Sequence, residues 1–115
     1  MRLVVDIDGT ICNSGLMPDG LEGYYEKSVP IMERIAIINE HYDNGDYIVY
    51  CTARGMGSSD NDATEAYLKY YDLTRQQLMD WGAKYHELFL GKPAGDIYID
   101  DRASHADDFF GDKDG

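Results

Sequence analysis

The chain has 115 residues, 43% of them apolar, and its 22 acidic against 10 basic side chains give a net charge of −12 at pH 7. That length supports one core with no room for a second, so residues 1–110 are expected to form a single domain and 111–115 a frayed tail. The acidic excess weighs against nucleic acid or an anionic membrane as partner, no apolar run nears the roughly 20 residues of a membrane span, and Cys12 and Cys51 are too few for a disulfide framework.

The opening "MRLVVDIDG" carries no secretory cleavage pattern, so a cytoplasmic protein is expected. Residues 2–7 are short, apolar and valine-rich, which predicts a buried strand. Residues 13–27 are polar and rich in glycine and proline, hence a loop. Ser28 before Pro30 signals a helix entry, Ile31, Ile35, Ile38 and Tyr42 follow at helical spacing, and "DNG" at 43–45 closes the helix. "YIVYC" at 47–51 is β-branched and aromatic, a second strand.

A loop over 53–62 follows, with Asp60 as helix cap, then a helix to about Tyr71. Thr74 and Gln77 have capping-box spacing for a separate short helix ended by Gly82. Residues 87–91 and 96–99 read as short strands, and 103–110 as a last helix. Alternation of strand and helix predicts an α/β fold, a parallel sheet with helices on both faces.

Each predicted strand ends in chemistry. Asp6 and Asp8 follow the first, Thr52 and Arg54 the second, Lys92 the third, Asp100 and Asp101 the fourth. Ligands of open parallel α/β sheets sit at the carboxyl ends of the strands, so four segments would deliver acids, a hydroxyl and cations to one crevice. The spacing of Asp6 and Asp8 puts both carboxylates on one side of an extended chain, where like charges resist joint ionisation unless a cation intervenes. His41, His86 and His105 are isolated in the sequence and suit packing or surface roles.

"VVDIDGT", "VYCTAR", "GKP" and "IYIDD" together resemble, in order, the four signature motifs of the haloacid dehalogenase-like phosphohydrolase superfamily, over residues 3–102. The resemblance implies a Rossmann-like core and an Mg²⁺-dependent phosphomonoester hydrolase. Asp6 would be the nucleophile that becomes an aspartyl-phosphate. Asp8 would be the acid that protonates the leaving oxygen and then the base that activates water. Mg²⁺ would be held by Asp6, the Asp8 backbone carbonyl and Asp100, with Asp101 ordering a metal-bound water. Thr52 and Lys92 would bind the transferring phosphoryl group, and Gly9 and Thr10 would line its site. Arg54 would either touch the substrate or pair with one of the acids.

Too few residues separate the motifs to hold an inserted cap domain, so a capless member with an open site is expected. Loop 13–27 or a second copy in a homo-oligomer would then shield the site, and loops 13–27 and 55–61 would set selectivity. "TARG" and "WGAKYHELFLGKPAGDIYIDDRA" are also similar to a small group tied to capsular polysaccharide and phosphosugar biosynthesis, which implies a small phosphorylated sugar or polyol as substrate. The alternatives are a phosphatase of nucleic-acid ends or phosphoproteins, and a non-catalytic receiver-like phosphoacceptor or binding module. Receiver domains phosphorylate an acid on a middle strand, where this chain has Thr52.

Overall fold

A computed structural model describes residues 1–13, 25–57 and 60–111. Its elements are β1 (Arg2–Val5), β2 (Cys12–Asn13), a 3₁₀ turn (Tyr25–Lys27), β3 (Val29–Pro30), α1 (Met32–Asp43), β4 (Tyr47–Thr52), α2 (Ala63–Asp80), β5 (Glu87–Leu90) and α3 (Ala106–Phe110). The central sheet has three parallel strands in the order β1-β4-β5, with Val5 opposite Tyr50 and Thr52 opposite Leu90. Most of loop 13–27, part of loop 55–61 and the tail 112–115 lie outside the described residues. No described helix is long and apolar enough to cross a membrane.

Side chains alternate across a sheet. Val5, Ile48 and Tyr50 therefore point together to one face, where they form a single buried cluster with Ile35 and Ile38 of α1 and Leu78 of α2. Both crossovers step the same way across the sheet, and their shared handedness puts both helices on that face. The expected pair of helical layers is thus reduced to one among the described residues. On the opposite face Val4 is 67% exposed and Phe89 51% exposed.

Three local expectations change. Pro30 does not open α1: it pairs with Cys12 in the two-residue β2–β3 ladder, and α1 starts after Ile31, which makes no side-chain capping bond. Asp62, not Asp60, caps α2, accepting from the Thr64 and Glu65 amides at 3.0 and 3.2 Å. α2 then runs unbroken to Asp80, because the Thr74 hydroxyl donates back to the Tyr70 carbonyl at 2.8 Å and never serves as a cap.

The expected strand at 96–99 is absent as well. Its short apolar run is present, but among the described residues no neighbour supplies a ladder, and Ile97 and Ile99 are 78% and 95% exposed. α3 is shorter than expected, capped at its start by His105 and followed by Gly111.

His86 takes a packing role, stacked between Tyr42 and Tyr47 with ring centroids 4.6 and 4.3 Å away, while its Nδ1 accepts from the Ile48 amide at 3.0 Å. Tyr50 is fully buried, and its hydroxyl has no hydrogen-bond partner among the described residues. A buried unsatisfied polar group costs about 1–3 kcal/mol. Tyr50→Phe is therefore expected to leave stability unchanged or raise it by about 1 kcal/mol, read as a higher urea midpoint at constant slope. A loss of stability would reveal a partner for that hydroxyl.

Candidate active site

Asp6 leaves the end of β1, and the chain then winds around one carbonyl. The Ile7 oxygen accepts from the amides of Thr10, Ile11 and Cys12 at 3.0, 2.9 and 3.3 Å. Gly9 makes this turn possible with a φ of 79°, a region that strains any residue with a Cβ. Ile7 and Ile11 are both fully buried beneath it. Apolar anchors thus alternate with the polar residues, which the turn leaves facing outward from the core.

Asp6 Oδ1 accepts from the Ile7 amide at 2.8 Å, and Oδ2 lies 3.7 Å from the Lys92 ammonium. Burial pushes this carboxyl above its ordinary value; the Ile7 amide and the Lys92 charge oppose the rise, and the Asp8 charge adds to it. Lys92 is delivered by the turn after β5. The amides of Gly91 and Lys92 both donate to the Thr52 carbonyl at 3.2 Å, which ties this turn to the end of β4. Gly91 has a φ of 112°, and a Cβ there would come within 3.0 Å of the Ala63 side chain, so glycine lets the turn approach α2.

Asp8 is held by Arg54. Nε donates to Oδ2 at 2.9 Å and Nη2 to Oδ1 at 3.0 Å, a bidentate pair that fixes the plane of the carboxylate. Of the two roles open to Arg54, this is the ion pair with an acid. Its side chain is wholly buried, with Nη1 donating to Gln77 Oε1 and, at 3.2 Å, to Thr74 Oγ1. The Tyr25 ring covers the guanidinium, its centroid 5.0 Å away, and the Tyr25 carbonyl accepts from Gln77 Nε2. Thr52 is buried too, with its Oγ accepting from the Arg54 amide at 3.2 Å. The Cys12 thiol donates to Asp8 Oδ1 at 3.4 Å; burial, with Asp8 beside it, pushes this thiol up to about 12.

Asp6, Asp8, Thr52, Arg54 and Lys92 therefore converge at the carboxyl ends of β1 and β4, with Gly9 and Thr10 on the turn beside them. Asp100 and Asp101 do not share this arrangement. Both are exposed, and Asp100 Oδ1 accepts from the Arg102 amide at 2.8 Å. Among the described residues no three acidic, histidine or cysteine side chains gather closely enough to hold a metal. Without the 96–99 ladder, the sheet does not carry this segment's end to the others.

Two positioning groups escape a reading by motif. Gln77 and Thr74 look like a capping box yet serve Arg54. Arg34 is buried, donates to the Thr10 carbonyl at 3.0 Å and to Asp107 Oδ1 at 2.8 Å, and so clamps the turn after Asp8 to α3. Its signal was present: Arg34 falls on the Ile31–Ile35–Ile38 stripe, where a charge needs a partner.

The Arg34 hydrogen bond holds the Asp107 carboxyl below its ordinary value of 3.8. A lowered carboxyl adds stability above its unfolded pKa and loses it as pH falls through the folded one. Asp107→Asn is expected to unfold more easily than the parent at pH 7, with a gap that narrows as pH falls below the ordinary carboxyl value of 3.8, measured by denaturant titration. A gap that persisted in acid would place the effect elsewhere.

No protein-family model and no curated protein matches the chain. Among solved structures, the chain is similar to a structural-genomics target from Vibrio cholerae, with a TM-score of 0.82 and 28% identity over 95% of this chain and 86% of that one. The α/β architecture is thus shared with a known structure.

Proposed function

We propose that the protein is a phosphomonoester hydrolase of the haloacid dehalogenase type, working through an aspartyl-phosphate on Asp6. One observation carries the reading: the Asp6 carboxylate at the end of a parallel strand faces a lysine 3.7 Å away, next to an acid immobilised by an arginine. An Asp6 oxygen attacks phosphorus and the bond to the leaving oxygen breaks; Asp8, which must first take up a proton from solvent while paired with Arg54, gives that proton to the leaving oxygen. Water then attacks the phosphoenzyme, passes its proton to Asp8, and releases inorganic phosphate and Asp6. Lys92 neutralises phosphoryl oxygens throughout, and Arg54 keeps Asp8 oriented for both steps.

Mg²⁺ commonly retains several waters and needs only one or two carboxylates from the protein. Asp6 and the Asp8 backbone carbonyl fit that demand by their hard oxygens; when bound, the ion would reduce repulsion between Asp6 and the phosphate. Asp100 enters this set by resemblance alone, and Asp101 through it. Phosphate release from sugar, polyol, nucleotide and peptide phosphates is expected with Mg²⁺, strongest for small sugars or polyols, and should stop in chelator. Full turnover after exhaustive treatment with EDTA would remove the metal. Asp100→Ala should raise the Mg²⁺ concentration needed for half-maximal turnover; an unchanged requirement would leave Asp100 outside the site.

A further inference from the structure

We propose that Tyr98 is the positioning residue for Lys92, a role that rests on the phosphotransfer reading of Asp6. The Lys92 ammonium lies 4.3 Å from the centroid of the Tyr98 ring while sitting 3.7 Å from Asp6 Oδ2. The second distance is an ion pair longer than a hydrogen bond, so Asp6 alone does not fix a lysine with a flexible stem. The aromatic face supplies a second attraction to the same cation.

The ring is itself tethered. Tyr98 Oη donates to the Pro93 carbonyl at 2.6 Å, one residue beyond the lysine it holds. Asn61 Oδ1 takes the Ala94 amide at 3.0 Å, so side chains from two different segments brace the turn 91–95. A cation already in place when the phosphoryl group arrives costs little reorganisation during the reaction. Tyr98 lies within the "IYIDD" motif, but its contacts run to the lysine turn.

The test compares Tyr98→Leu, which removes the face, with Tyr98→Phe, which keeps it. The site is half exposed, so both variants should fold, checked by circular dichroism. In the parent and in Tyr98→Phe, the Lys92 ε-methylene proton signals should be shifted upfield by the ring; in Tyr98→Leu they should return to ordinary positions. With Mg²⁺ present, Tyr98→Leu should weaken inorganic phosphate binding, measured by calorimetry, by about two- to fivefold, while Tyr98→Phe stays within about twofold. In a Lys92→Ala background, Tyr98→Leu should change nothing further.

Unshifted Lys92 signals in the parent, or equal phosphate affinity in parent and Tyr98→Leu, would overturn the assignment. So would a loss of the same size in the Lys92→Ala background. A parent protein with shifted Lys92 signals that binds no phosphate and hydrolyses no ester would instead sink the phosphotransfer reading, and the positioning role with it.

Discussion

Asp6→Asn should abolish turnover while leaving a protein at least as stable as the parent at pH 7. The loss is expected on the order of 10⁶-fold, the scale reached when the nucleophile of a covalent enzyme is removed. Stability should not follow, because burial and the neighbouring Asp8 charge both raise the Asp6 carboxyl. A raised acid favours the fold below its unfolded pKa and withdraws that support as pH climbs through the folded one. At neutral pH the ionised Asp6 therefore works against folding, and an amide relieves it. Lys92 loses a partner, but that ammonium is part exposed and reaches water. Phosphate release and thermal unfolding, measured on one preparation, separate the two effects. Brisk turnover by a folded Asp6→Asn protein would falsify the covalent mechanism.

The second large effect is on stability and falls on Asp8. Removing Asp8 strands a guanidinium with no exposed side-chain surface, whereas removing Arg54 strands a carboxylate that is 27% exposed. Breaking a buried pair by deleting one partner costs about 3–5 kcal/mol, and the enclosed partner suffers more when left behind. Asp8→Ala is accordingly expected in that range, a large share of the roughly 5–15 kcal/mol that holds a domain together. Asp8→Asn keeps one acceptor for Arg54 and should lose less stability, while turnover falls about 10²–10⁴-fold through the missing proton donor. Urea unfolding decides the first point. If Asp8→Ala unfolds like the parent, Gln77, Thr74 and the Tyr25 ring suffice for Arg54, and its pair with Asp8 is not a structural keystone.

The sequence made the strand ends legible because short apolar, β-branched runs and the polar or charged residues after them are local. β1, β4 and β5 formed close to their expected positions, and Asp6 met Lys92 from more than eighty residues away in the chain. What stayed hidden depends on partners. "DIYI" has a strand's composition, but a strand exists only where another chain segment completes the ladder, and none of the described residues does so. Thr74 and Gln77 mimicked a helix start because capping-box residues are also good hydrogen-bonding groups for an arginine. Helices on both faces was a rule of fold class; two crossovers stepping the same way placed α1 and α2 on one.

The exposed apolar side chains at the borders of the second sheet face, among the described residues, have a consequence for the protein as a colloid. Val4 and Phe89 on that face, with Ile97 and Ile99 on the loop after β5, are the kind of apolar surface that draws molecules together. A net charge of −12 holds them apart, since each molecule repels the next before those side chains can meet. The guard is only as strong as the medium allows. High salt screens it over a few ångströms, and near the sequence isoelectric point of about 4.3 it vanishes, so this acidic composition serves as a solubility device for these exposed apolar side chains.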